Sequence, residues 1–281
     1  MAAKFKTHFS ITSKATHNIP TYVVSLASAT RRREHIELQL RKANMQYTMC
    51  DAVVGNHLTE GDIKELCDAE ALAKHPTWLT KGAIGCALSH LNIYKEMVMK
   101  ETPVALILED DMVLPENLNE HLEALAPILQ TDEVVMLYYQ SHKTLNISTH
   151  ESVNYKGEHH LCYPVNIHQP ITTGAYMITL AAAKRLVNGI LPIRVSADSW
   201  GYFYEHGLLN SMRCVFPRLI DAEPFKSSID YFHSPWKRIL SRWIDSVKLP
   251  GVYQMLRSRR EKNLRKRQQV IHSEERPKWL K

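Results

Sequence analysis

One stretch constrains the fold more than any other. Val104-Ala105-Leu106-Ile107-Leu108 is an unbroken apolar run that follows Pro103 and stops abruptly at Glu109-Asp110-Asp111. A strand with apolar side chains on both faces has to be covered on both sides, which is the position of an inner strand in a sheet flanked by helices. Three successive carboxylates directly after such a strand are costly unless something cationic neutralises them. At the carboxyl end of a strand in an open α/β sheet they point into the ligand crevice. Hard oxygen donors of this kind suit Mg²⁺ or Mn²⁺ bridging the phosphates of a nucleotide. A solvated acidic turn is the competing reading.

The flanking sequence supplies the rest of such a fold. Thr21-Tyr22-Val23-Val24-Ser25-Leu26 reads as a first strand, followed by a basic helix start at Ala29 to Ile36. A second strand is expected around 46–52 and a short helix around 62–73. From Gly82 to Lys100, Ile84, Ala87, Leu88, Leu91 and Val98 keep helical spacing, with Thr80 as N-cap. Another helix follows Pro115, then a strand at 134–138, and a strand around Gly174 leads into a helix over 181–191. Residues 196–209 hold one more short helix, and Cys214-Val215-Phe216 a last strand. Strands alternating with helices predict a mostly parallel sheet under helical layers. Residues 140–169 are polar and histidine-rich without a period, and are expected to form a loop or ragged hairpin.

Composition narrows the class. With 281 residues and 44% hydrophobic content the chain can bury a core without cross-links. The five cysteines, Cys50, Cys67, Cys86, Cys162 and Cys214, are odd in number and widely spaced, the pattern of reduced thiols in a cytosolic setting. Residues 1–18 read as a tail without a signal-peptide core, and no apolar stretch has the length of a membrane span. The formal charge of +6 is unevenly placed: the segment 237–267 carries +9 and the remainder −3. The excess therefore belongs to one region and gives no reason to expect nucleic acid.

Asp198 is a second candidate, because Trp200, Tyr202, Phe203 and Tyr204 follow it. A carboxylate beside aromatic surface can act as general base toward a sugar hydroxyl, while capping the helix of aromatics is the alternative. Arg31-Arg32-Arg33 can meet phosphates or simply coat a helix. The fifteen histidines include one adjacent pair, His159-His160, and no His-x-x-x-His on an expected helix, which gives little support to a histidine metal centre.

Together these pieces resemble glycosyltransferase family 25, particularly its bacterial lipooligosaccharide β-1,4-galactosyltransferases. The resemblance rests on Val23 to Ala29 with Arg32 and Arg33, Asp51-Ala52, Cys86-Ala87-Leu88-Ser89-His90, Leu108 to Asp111, Gly174 to Ile178 and Ser196-Ala197-Asp198. It implies a single GT-A-like, Rossmann-related nucleotide-sugar domain over 19–232 with a mostly parallel mixed sheet. It also implies a UDP-sugar donor, a divalent cation (Mn²⁺ or Mg²⁺) and an inverting transfer to a lipid-linked oligosaccharide acceptor. On that basis Asp111 is the expected metal ligand, with His233 a later one, and Glu109 or Asp110 faces the ribose or sugar. Ser25, Leu26, Arg32 and Asp51 line the uridine pocket, Ser89 and His90 support the donor site, and Asp198 is the base.

The remaining segment, 233–281, has its own pattern. Ser234 and Pro235 can open a helix on which Trp236, Ile239, Leu240, Trp243, Ile244 and Val247 share one face, opposite Lys237, Arg238, Arg242 and Lys248. With the basic run Arg257 to Arg267, residues 236–267 match an anionic membrane surface, which would place the protein on the inner face of the cytoplasmic membrane. A helix docked on the body with a solvated tail is the alternative.

Overall fold

A computed structural model describes residues 19–223 and 269–280. The chain enters at β1 (Thr21–Ser25), passes through α1 (Thr30–Lys42) and returns as β2 (Thr48–Asp51). Two short helices, α2 (Glu60–Leu66) and α3 (Ala69–Lys74), stand where one was expected. The break has a cause: Cys67 bridges to Ile193 and Asp68 restarts the helix by accepting from the Ala71 N–H at 2.9 Å.

Helix α4 (Lys81–Met99) begins at Thr80, whose hydroxyl accepts from the Ala83 N–H at 3.2 Å. Its first turns lie close against the loop after β2. A Cβ on Gly85 would stand 2.7 Å from the Val53 carbonyl oxygen, and one on Gly55 would collide with the Lys81 backbone. Two glycines thus bring that loop onto the helix start.

The central run is β3 (Val104–Glu109), followed by β4 (Met112–Val113), α5 (Leu118–Leu125) and β5 (Glu133–Gln140). Residues 140–169, expected as a loop or ragged hairpin, contain three strands: β6 (Leu145–Ser148), β7 (Val153–Lys156) and β8 (His159–Cys162). They are short and only partly covered on β7, so no hydrophobic period marks them. Then come β9 (Ile171–Thr179), α6 (Leu180–Gly189), α7 (Trp200–Glu205), β10 (Ser211–Phe216), β11 (Asp221–Ala222) and β12 (Val270–Ser273).

Eight strands form one sheet in the order β2-β1-β3-β9-β5-β10-β8-β7. The β1–β2, β1–β3 and β5–β10 pairs are parallel, whereas β9 runs antiparallel to both neighbours and β8 to its own. Six strands therefore point one way, and the sheet is mixed but mostly parallel. The apolar run behaves as a two-faced strand should. Ala105 and Ile107 pack with α4, α6 and α7 on one side, and Leu106 and Leu108 with α1 and α5 on the other.

The described part of the C-terminal region is not a separate appendage. β12 pairs in parallel with β6, and the Trp279 indole N–H donates to the Pro164 carbonyl at 2.9 Å while packing edge-on against Tyr163 and Tyr204. The expected amphipathic helix and basic run, with His233, fall outside the described residues.

Candidate nucleotide-sugar site

Parallel pairing of β1 with β3 sets Val24 level with Glu109, so the residues just beyond both strands meet at one edge of the sheet. Buried Ser25 donates its hydroxyl to Asp110 Oδ2 at 2.6 Å. Arg32, in the first turn of α1, places Nη2 on Asp110 Oδ1 and 3.0 Å from Asp111 Oδ2. One guanidinium thus spans two adjacent carboxylates. The other Asp111 oxygen, Oδ1, is buried and has no hydrogen-bond partner. Burial, reinforced by the negative charge of Glu109, pushes the Asp111 carboxyl up to about 7, with Arg32 opposing.

These residues fit a divalent cation. An unsatisfied buried carboxylate oxygen beside a second carboxylate is a hard donor set already organised around positive charge.

Asp51 is largely exposed at the end of β2 and ion-pairs with Arg33, whose Nη2 also donates to the Ser25 carbonyl at 2.9 Å and whose Nε donates to Leu26 O at 3.1 Å. Arg33 therefore ties Ser25, Leu26 and Asp51 into one rim, leaving Arg32 for the acidic pair. Ser89 lines a pocket together with Asp51, but its hydrogen bonds go elsewhere. Its hydroxyl donates to Gly85 O at 2.6 Å and accepts from the Val53 N–H at 2.9 Å, holding the loop after β2 on α4.

Glu109 points to the other side, accepting from the Thr173 hydroxyl at 2.5 Å with His90 Nε2 3.9 Å away. Burial favours its neutral form, yet His90, with Thr173 and Arg32, holds its carboxyl below the ordinary range.

Asp198 arrives from the loop before α7. Its Oδ1 accepts from the Ser196 hydroxyl at 2.7 Å and its Oδ2 from the Thr172 N–H at 3.3 Å. Ser199, not Asp198, occupies the cap position of α7. The aromatics behind it divide: Trp200 and Phe203 are buried core, while Tyr202 stacks on His206.

Two residues that sequence reasoning passed over complete the arrangement. Thr172 has φ +93, a region β-branched residues rarely enter, and it is held there by Asp198 on its N–H and by the Trp200 indole on its carbonyl at 3.1 Å. That backbone delivers the next side chain, Thr173, to Glu109. No local sequence pattern announces a threonine in this conformation.

A family model described as glycosyltransferase family 25 (LPS biosynthesis protein) matches residues 18–200, which include Ser25, Arg32, Asp51, Ser89, His90, Glu109, Asp110, Asp111 and Asp198. The chain belongs to glycosyltransferase family 25. Procollagen galactosyltransferase 1-A of Xenopus laevis is 30% identical over 59% of this chain and 28% of its own length. The probable inactive glycosyltransferase 25 family member 3 of Rattus norvegicus is 31% identical over 59% of this chain and 29% of its own. The lipooligosaccharide biosynthesis protein lic2B of Haemophilus influenzae is 32% identical over 36% of each chain. The family 25 chain described here thus matches only about a third of each of these relatives, or less.

Proposed function

We propose that this protein is a metal-dependent inverting glycosyltransferase that moves galactose from UDP-galactose to a lipooligosaccharide or lipopolysaccharide acceptor, in β-1,4 linkage. The observation that carries the reading is Arg32 spanning Asp110 and Asp111, with Asp111 Oδ1 unsatisfied, at the carboxyl edge of β1 and β3. Nucleotides bind at that edge in open α/β sheets. The names of the galactosyltransferase and lipooligosaccharide relatives support the choice of sugar and acceptor.

Asp111 would hold Mn²⁺ or Mg²⁺, with His233 as a further ligand. Glu223, ten residues before His233 in the sequence, donates its N–H to the Asp111 carbonyl at 2.8 Å, beside the carboxylates. A cation there supplies positive charge to the phosphates of the departing UDP. Ser25, Leu26 and Asp51 form the uridine rim, and Asp110 and Glu109 face the ribose and sugar. Arg32 spans the carboxylates, and its planar guanidinium would suit a diphosphate as well. Asp198 takes the proton of the acceptor hydroxyl, oriented by Ser196 and the Thr172 N–H.

Residues 236–267 would bring this site to an anionic membrane on the cytoplasmic face, where a lipid-linked acceptor is presented. Among the described residues no helix is long and apolar enough to cross a membrane.

The relative named as inactive supports a second reading, a sugar-nucleotide-binding protein without turnover. A panel of UDP-sugars with Mn²⁺, with and without chelator and candidate acceptors, separates the two. UDP release from UDP-galactose that requires metal and acceptor is expected. Release only from UDP-glucose or UDP-GlcNAc would move the donor assignment, and no release from any donor would overturn the enzyme.

A further inference from the structure

Behind the acidic pair, three side chains of different chemistry converge. Cys86 and His90 stand four residues apart on α4 and so share a face, and Glu109 reaches them from the end of β3. One ligand atom of each, the thiol sulfur, a ring nitrogen and a carboxylate oxygen, lies within 4.8 Å of the other two.

His90 is 1% exposed. Its Nδ1 is engaged by the Tyr176 hydroxyl at 2.7 Å, which is itself 2.7 Å from the Tyr94 hydroxyl. The ring is therefore fixed, and Nε2 is the nitrogen turned toward Glu109. At 3.9 Å that contact is too long for a hydrogen bond, and Nε2 has no other partner. A buried ring nitrogen left unsatisfied is costly and calls for a ligand. An imidazole whose far nitrogen is locked by a hydrogen bond is also the form in which histidine binds metals. Glu109 is oriented in a similar way by the Thr173 hydroxyl at 2.5 Å.

We propose that Cys86, His90 and Glu109 form a binding site for Zn²⁺, separate from the Asp110–Asp111 pair. Sulfur, nitrogen and oxygen donors in one set match zinc, whereas Mn²⁺ and Mg²⁺ prefer oxygen alone. Zinc bond lengths place tetrahedral ligand atoms about 3.3–3.8 Å apart. The His90–Glu109 separation of 3.9 Å is close to that spacing, and with all three ligand atoms within 4.8 Å of one another, rotation of the Cys86 side chain would have to supply the rest. Cys86 and Glu109 are only half-buried, which leaves a fourth position for water. The thiol loses its proton on binding. On the reading in which Glu109 faces the donor sugar, zinc and donor would compete. The site itself needs no assumption about the reaction.

The test uses the full chain stripped of metal, with no donor or acceptor present, and Co²⁺ as a spectroscopic substitute for Zn²⁺. One equivalent of Co²⁺ is expected to give thiolate-to-cobalt charge-transfer absorption that stoichiometric Zn²⁺ abolishes. Cys86→Ser should lose the absorption and weaken Zn²⁺ binding by at least ~10-fold, while Cys50→Ser keeps both. Circular dichroism of the metal-free variants checks the fold. Should Cys86→Ser unfold, Glu109→Gln is read in its place, with the absorption retained and zinc affinity lowered. Absence of the absorption in the unaltered chain, its persistence in Cys86→Ser, or zinc affinity unmoved by Glu109→Gln would each overturn the site.

Discussion

The Thr172 N–H donates to the Asp198 carboxylate across 3.3 Å, which binds the proposed base to the one strained threonine in the site. Asp198→Asn keeps a carbonyl oxygen for that N–H but cannot accept a proton from a hydroxyl. Turnover is expected to fall by at least ~10²-fold, with UDP binding and melting temperature nearly unchanged. Steady-state kinetics beside UDP titration check this. Near-normal turnover would remove Asp198 from the chemistry.

Arg32→Ala leaves Asp110 and Asp111 facing each other without a counter-charge. Because Arg32 is itself partly exposed, a loss of about 2–4 kcal/mol is expected, at or below the value for a fully buried pair. Mn²⁺ should then stabilise the variant more than the unaltered protein, since the ion supplies charge that the variant lacks. Thermal melts with and without Mn²⁺ decide it. An equal or smaller metal shift in Arg32→Ala would dissociate the ion from these carboxylates.

Asp111 carries a pH signature. Its carboxyl titrates at about 7 in the fold against an ordinary 3.8, because burial and then Glu109 disfavour its charge. A raised folded value contributes stability that is complete below the unfolded value and is lost as pH rises through the folded one. Relative to Asp111→Asn, the metal-free protein is therefore expected to lose stability between about pH 4 and pH 7. Glu109, held low, acts in the opposite sense and is common to both proteins. Urea unfolding across that range supplies the measurement. Parallel stability curves for the two proteins would refute it.

The buried pair of Glu133 and Arg213 joins β5 to β10 through two hydrogen bonds of 2.5 and 2.7 Å. Ser211 adds a third at 3.0 Å. Glu133→Ala strands a guanidinium in the core and should cost about 3–5 kcal/mol. Activity per folded molecule should be unaltered, because the pair lies away from the carboxyl edge of β1 and β3. A change under ~1 kcal/mol would show that the pair is solvated in solution.

Much of this was legible in the residues, and what was not has physical causes. The alternation of Ala105 and Ile107 with Leu106 and Leu108 between two helical layers follows directly from an apolar run without a polar face. Strand direction leaves no such trace, so nothing in Ile171–Thr179 announces that β9 runs antiparallel between β3 and β5. The division of labour between Arg32 and Arg33 depends on where a helix starts relative to two strands, a distance no local pattern encodes. Thr172 adopts its backbone only because Asp198 and Trp200, far along the chain, hold it. In the C-terminal region, Val270, Ile271 and Trp279 were the available signal, apolar residues after a basic run; Val270 and Ile271 belong to the strand that pairs with β6, and Trp279 docks on Pro164 and Tyr163.

Membrane attachment is best tested without truncation, because removing everything after Tyr231 also removes β12 and Trp279. Replacing Arg259, Arg260, Arg265 and Arg267 with Gln should lower binding to anionic vesicles by up to ~1 kcal/mol per site. Turnover on a soluble acceptor should be unchanged. Equal flotation of both proteins with anionic vesicles would exclude the basic run as the anchor.

Among the described residues β6 pairs with no strand except β12, although more than a hundred residues separate them. As the chain emerges from a ribosome, β6 must therefore wait beside an otherwise assembled sheet, its Leu145 and Ile147 next to an open row of peptide groups. An unpaired edge of this kind recruits other strands. Synthesis that stalls or stops before 270 is then a source of aggregation, and the arrival of β12 is the step that closes this edge against neighbouring chains.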